Sequence, residues 1–70
     1  MKDVIEITVN GLTEKVPADS AIADLIEQFG ERDPHLIVEH NGRFVFVQEY
    51  DTQTVSKGDR IEFINPDFGG

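Results

Sequence analysis

Val4-Ile5-Glu6-Ile7-Thr8-Val9-Asn10-Gly11-Leu12-Thr13-Glu14-Lys15-Val16-Pro17 decides the fold of this chain. Its first six residues alternate, so Ile5, Ile7 and Val9 share one face of a strand while Val4, Glu6 and Thr8 share the other. Asn10 and Gly11 both tolerate the positive φ that a two-residue hairpin turn requires. The return strand is Leu12 to Val16, and Pro17 ends it by withholding a backbone donor. The chain therefore opens with a β-hairpin that has one apolar face.

Working outward, Asp19 or Ser20 is placed to cap a helix start. Ile22, Leu25, Ile26 and Phe29 fall at i, i+3, i+4 and i+7, one helical stripe, with Asp24, Glu27 and Gln28 turned away from it. Gly30 stands where a left-handed residue closes a helix, which predicts a helix from Ala21 to Phe29. His35 to His40 reads as a strand with Leu36, Val38 and His40 on one side. Asn41-Gly42 turns the chain, and Phe44 to Val47 resumes an apolar run. Thr52 to Val55 is a weaker strand candidate. Lys57-Gly58-Asp59 is a turn, and Arg60 to Asn65 alternates again with Ile61 and Phe63 inward until Pro66 stops it.

One amphipathic helix among four to five strands predicts a two-layer α+β domain: a mixed sheet with one main helix on one face. The crossover through the helix suggests a third strand parallel to the leading strand of the hairpin, or near it. This element order is that of the ubiquitin-like β-grasp. The expected division is a folded body over residues 1–65 and a flexible C-terminal reactive tail over residues 66–70.

Composition narrows the function. Seventy residues make one domain, and 39% apolar residues spread along the chain are not the composition of a disordered acidic tail. Six Lys and Arg against fourteen Asp and Glu leave a net charge of −8, which opposes contact with nucleic-acid phosphates or an anionic membrane. No apolar run approaches the roughly 20 residues that span a bilayer, and Met1-Lys2-Asp3 leads straight into alternating sequence, so the chain is expected in the cytoplasm. With no cysteine it has neither disulfides nor thiolate metal sites.

Catalytic constellations are missing. His35 and His40 lie five apart on a strand, so their side chains point to opposite faces and cannot share a metal. The carboxylates are scattered singly, and there is no glycine-rich phosphate loop and no Ser/His/Asp set. Asn10-Gly11 and Asn41-Gly42 read as turn chemistry alone. The expectation is no catalytic residue, no metal and no bound cofactor.

The chain's last residues stand out. Gly69-Gly70 beyond a proline-terminated strand has a chance expectation well under about 1% at ~7% glycine usage. A carboxylate at Gly70 is a poor electrophile unless activated, for instance as a mixed anhydride with AMP in an ATP-using partner. From Asn65 to Gly70 an extended chain covers about 20 Å, enough to enter a partner's active site. Glycine, lacking Cβ, fits a narrow channel. Opposite the helix, Val4, Thr8, Ile37 and Ile64, with Leu12 and Phe46 as further candidates, suggest a docking face, and the acidic remainder suits a basic partner rim.

These residues resemble the ThiS-type sulfur carriers of the wider ThiS/MoaD group. The likeness rests on Thr8-Val9-Asn10-Gly11, the Ile22/Leu25/Ile26 helix and Ile37-Val38-Glu39-His40-Asn41-Gly42. It continues through Val47-Gln48-Glu49-Tyr50, Val55, Gly58-Asp59-Arg60-Ile61-Glu62 and Gly69-Gly70. The resemblance implies adenylation of Gly70 by a ThiF-like enzyme that consumes ATP, then sulfur from a persulfide donor to give a thiocarboxylate. A ThiG-like thiazole synthase of thiamine biosynthesis would receive that sulfur. Asp67, Phe68 and Gly69 would thread the partner's channel, and the carrier would be a monomer when free. Asn65-Pro66-Asp67-Phe68 departs from the aliphatic tails general in ThiS chains, and its proline is similar to MoaD. Carriers for molybdopterin, cysteine or methionine synthesis, a ubiquitin-like modifier and an inert interaction module are therefore the alternatives.

Overall fold

The Asn10-Gly11 hairpin forms with Ile5 opposite Val16, Ile7 opposite Glu14 and Val9 opposite Leu12. Its strands are β1 (Val4–Val9) and β2 (Leu12–Pro17). Asn10 at φ 51° and Gly11 at φ 84° give the turn two left-handed residues, as the right-handed twist of a hairpin demands. The computed structural model describes residues 3–66. The tail residues Asp67, Phe68, Gly69 and Gly70 lie outside them, as do Met1 and Lys2.

Helix α1 (Ile22–Gln28) follows, one residue shorter at each end than its sequence pattern suggests. Neither Asp19 nor Ser20 caps it. Asp19 is left-handed at φ 64°, and the Ser20 hydroxyl donates to the Pro17 carbonyl at 2.6 Å. The helix start is satisfied from elsewhere. Asp24 accepts from the Ala21 N–H at 2.9 Å, while the Ile22 and Ala23 N–H groups donate to the backbone carbonyls of Gln53 (2.9 Å) and Tyr50 (2.8 Å). A distant segment thus supplies acceptors that an N-cap side chain ordinarily provides. At the other end Gly30, at φ 71°, and Glu31 donate back to Glu27 and Ile26, the paired bonds of a Schellman closure.

Three more strands complete the sheet: β3 (Ile37–His40), β4 (Arg43–Val45) and β5 (Arg60–Ile64), with a 3-10 turn at Val47–Glu49. The order across the sheet is β2-β1-β5-β3-β4. The parallel neighbour of β1 is therefore β5; β3 lies beyond it and runs antiparallel to it, which corrects the expected parallel placement of the third strand. The reason is burial. Ile61 is 0% exposed and Phe63 4%, so β5 carries the side chains best suited to the middle of the sheet. The weak strand at Thr52 to Val55 reduces to one bridge, Ala21 to Thr54, because the Gln53 carbonyl is taken by the helix.

Ile7, Val9, Val16, Ile22, Leu25, Val38, Val45, Val55, Ile61 and Phe63 form the core between helix and sheet. Ile26, Phe29, Leu36 and Tyr50 pack at its margin, with the Phe29 and Phe63 rings 6.5 Å apart. Among the described residues, every buried side-chain nitrogen or oxygen has a hydrogen-bond partner. No helix among them is long and apolar enough to cross a membrane.

Candidate functional site

Strand β5 carries the chain toward its tail, and both hairpin turns hold it. The Asn10 side-chain oxygen accepts from the Phe63 N–H at 2.8 Å, and the Asn41 side-chain oxygen accepts from the Arg60 N–H at 2.7 Å. The backbone N–H groups of the same asparagines donate to Ile61 (2.9 Å) and Arg60 (2.7 Å). Both Asn-Gly pairs therefore do more than turn the chain; they clasp β5 from its two edges. Beyond Ile64, Pro66 offers no N–H to a ladder, and Asn65 donates to Glu31 at 3.1 Å, fixing the exit beside the loop after α1.

A second set of polar groups secures the turn before β5. His40, on the helix side of β3, has Nε2 2.7 Å from Asp59 Oδ2 and Nδ1 2.8 Å from the Gln53 amide nitrogen. With that amide donating to Nδ1, the ring proton sits on Nε2 and is donated to Asp59. The Asp59 carboxylate also accepts from the Ser56 N–H (2.8 Å) and the Asn41 amide (3.2 Å). Burial pushes its carboxyl pKa up, but the hydrogen bonds from His40, Ser56 and Asn41 outweigh it. The net result lies below the usual value of 3.8. Strand β3, the turn before β5 and the loop that serves the helix start meet through this one imidazole.

The outer face of the sheet, opposite α1, holds the docking candidates. Ile37 and Ile64 are register partners, and Ile64 is 39% exposed at the end of β5. Thr8 lies on the same face beside Arg60, and Val4 sits further back opposite Pro17. Leu12 is exposed, but as the partner of Val9 it belongs to the helix side, contrary to its place among the outer-face candidates. Phe44, opposite Glu39 on the outer face, is 54% exposed, and Phe46 is 59% exposed. Their rings meet edge to face at 4.8 Å, so the two residues share a side of the sheet. Continuing the β3–β4 register by one step brings Phe46 beside Ile37. Ile64, Ile37, Phe46 and Phe44 thus form one apolar group where the chain leaves the sheet. Among the described residues no cluster of three or more His, Asp or Glu side chains is arranged to hold a metal.

The sequence model of the ThiS family matches residues 2–70, which is nearly the entire chain. The chain belongs to the ThiS family. Among solved structures, the crystal structure of the thiamine biosynthesis protein ThiS from Geobacter metallireducens is similar at a TM-score of 0.83 and 28% identity. That likeness covers 94% of this chain and all of the other. No curated protein matches the chain. As a ThiS-family protein it is a small sulfur carrier of thiamine biosynthesis, and it works with the enzymes of that pathway.

Sequence reasoning placed Ile37 and Ile64 on the outer face, where the register also puts them, and did not single out Phe44, which lies on that face too. The signal was present: Phe44 and Phe46 lie two apart in an extended run and so share a face. The apolar Val45 between them and Val47 after them concealed the alternation. The tail assignments to Asp67, Phe68, Gly69 and Gly70 lie outside the described residues.

Proposed function

We propose that this ThiS-family chain carries sulfur as a thiocarboxylate on Gly70, in the cytoplasm, with residues 1–65 as docking body and residues 66–70 as reactive tail. A carboxylate oxygen of Gly70 attacks the α-phosphorus of ATP held by a ThiF-like enzyme, and pyrophosphate leaves. The terminal sulfur of a persulfide then displaces AMP from the acyl carbon, and a thiol cleaves the S–S bond to leave the thiocarboxylate. A ThiG-like thiazole synthase takes up that sulfur. The chain contributes no catalytic group and binds no cofactor; ATP is consumed at the partner.

The observation that carries this reading is the course of β5. It is the central strand of the sheet, clasped by Asn10 and Asn41, and it ends at Ile64 within an exposed apolar group. A rigid strand that delivers a short glycine-ended segment from the edge of a docking face supports reaction at a distance from the body. Asp67, Phe68 and Gly69 are assigned to the partner's channel, and Val4, Thr8, Ile37 and Ile64 to the face that meets it. Pyrophosphate release by a ThiF-like enzyme with ATP tests the reading. Release that depends on this chain, and is lost when Gly70 is removed, supports it. An enzyme active on its own carrier but silent with this chain contradicts it.

A further inference from the structure

On the outer face, Glu39 and Glu62 are direct cross-strand partners in β3 and β5. Like charges directly opposite one another weaken a sheet, and among the described residues the relief comes from Arg60, whose Nε lies 4.0 Å from Glu62 in an exposed pair of little energetic worth. The two carboxylates are framed by apolar groups. Phe44 lies opposite Glu39 on the far side, and the next row along the strands is Ile64 and Ile37, with Phe46 continuing it. Beside the Phe44–Phe46 pair an open cleft of about 490 Å³ runs along the β4 edge, lined by His40, Asn41, Arg43, Glu49 and Gln53 with the two rings.

We propose that the adenylating partner of this chain anchors on Phe44 and Phe46 and places an arginine across Glu39 and Glu62. This deepens the proposed function and rests on it. Three observations fix the occupant. The apolar group adjoins Ile64, where the described chain turns toward its tail, so an enzyme receiving residues 65–70 must cover it. The repulsive carboxylate pair at its centre gains most from a planar cation that can donate to two carboxylates at once and lie against an aromatic ring. The chain as a whole carries −8, so the enzyme that binds it gains from a basic rim. Aromatic side chains surrounded by polar ones are the usual form of an interface hot spot. Glu39 and Glu62 then set approach and orientation, and the phenylalanines hold the complex.

The test is steady-state pyrophosphate release by the ThiF-like enzyme, with the carrier chain as varied substrate. Phe44→Ala/Phe46→Ala is expected to raise KM about tenfold or more while kcat stays within about twofold, since the tail and its chemistry are untouched. Glu39→Gln/Glu62→Gln is expected to raise KM less and to flatten the fall of kcat/KM with added salt, a response that a purely structural role would not produce. Leu12→Ala, on the other face, keeps the wild-type KM. Melting curves of each variant confirm that it is folded, and Phe44→Leu/Phe46→Leu replaces any alanine variant that is not. Turnover of wild type with KM unchanged in the phenylalanine variants, or an unaltered salt profile in the glutamine variants, overturns the inference alone. A wild-type chain that yields no pyrophosphate overturns the proposed function and this inference with it.

Discussion

The side-chain oxygen of Asn10 lies 2.8 Å from the backbone nitrogen of Phe63, joining the first turn of the chain to its last strand across 53 residues. Asn10 is also left-handed, at φ 51°. Replacing it by glycine keeps the turn and removes the acceptor, leaving a part-buried N–H unpaired, at an expected cost of about 1–2 kcal/mol. Replacing it by alanine adds the left-handed penalty of a Cβ, about 1 kcal/mol more. Urea unfolding of the two variants checks the order: wild type, then glycine, then alanine.

Asp59 gives the protein an acid limb. Its carboxyl is held below 3.8 in the folded state, so the unfolded chain binds more protons as pH falls toward and through that value. The stabilisation it provides is present above the unfolded pKa and is lost as pH drops through the folded one. Melting temperature followed from pH 5 to pH 2 is expected to fall steeply in the wild type. In Asp59→Asn the curve starts lower and is flatter over that range.

The helix start offers a third measurement. Asp24 accepts from the Ala21 N–H at 2.9 Å, and its charge lies in the first turn, where the helix dipole favours an anion. Asp24→Ala is expected to cost about 0.5–1 kcal/mol in chemical unfolding. Ser20→Ala removes no helix cap, since Ser20 bonds to Pro17. Its effect should therefore come from the buried turn and not from helix content by circular dichroism.

Legibility in the sequence followed locality. The first hairpin, the Ile22/Leu25/Ile26 stripe, the Gly30 closure and the alternation of Ile61 and Phe63 are all settled by neighbours within one element, and all were readable. The helix start was not, because its acceptors are the Tyr50 and Gln53 carbonyls, more than 25 residues away. The same holds for the central place of β5 and for the second task of Asn10 and Asn41, since a side chain that reaches across the sheet leaves no mark in local periodicity. At the candidate site, Ile37 and Ile64 were visible as outward positions, while Phe44 needed the β3–β4 register to bring it beside them.

Removing Gly70 separates fold from function. Among the described residues every buried core side chain lies between Ile7 and Phe63, so the truncated chain is expected to melt within about 2 °C of the full one, well inside the shift that 1 kcal/mol produces. A differential scan checks this, and a larger drop would place structural weight on the terminus.

The most direct measurement is the intact mass of the full chain after incubation with a ThiF-like enzyme, ATP, a persulfide donor and a thiol. The account predicts a gain equal to one oxygen replaced by sulfur, mapped by fragmentation to Gly70 and absent without ATP. An unchanged mass from an enzyme that converts its own carrier in the same tube, or sulfur found at any other residue, would contradict it.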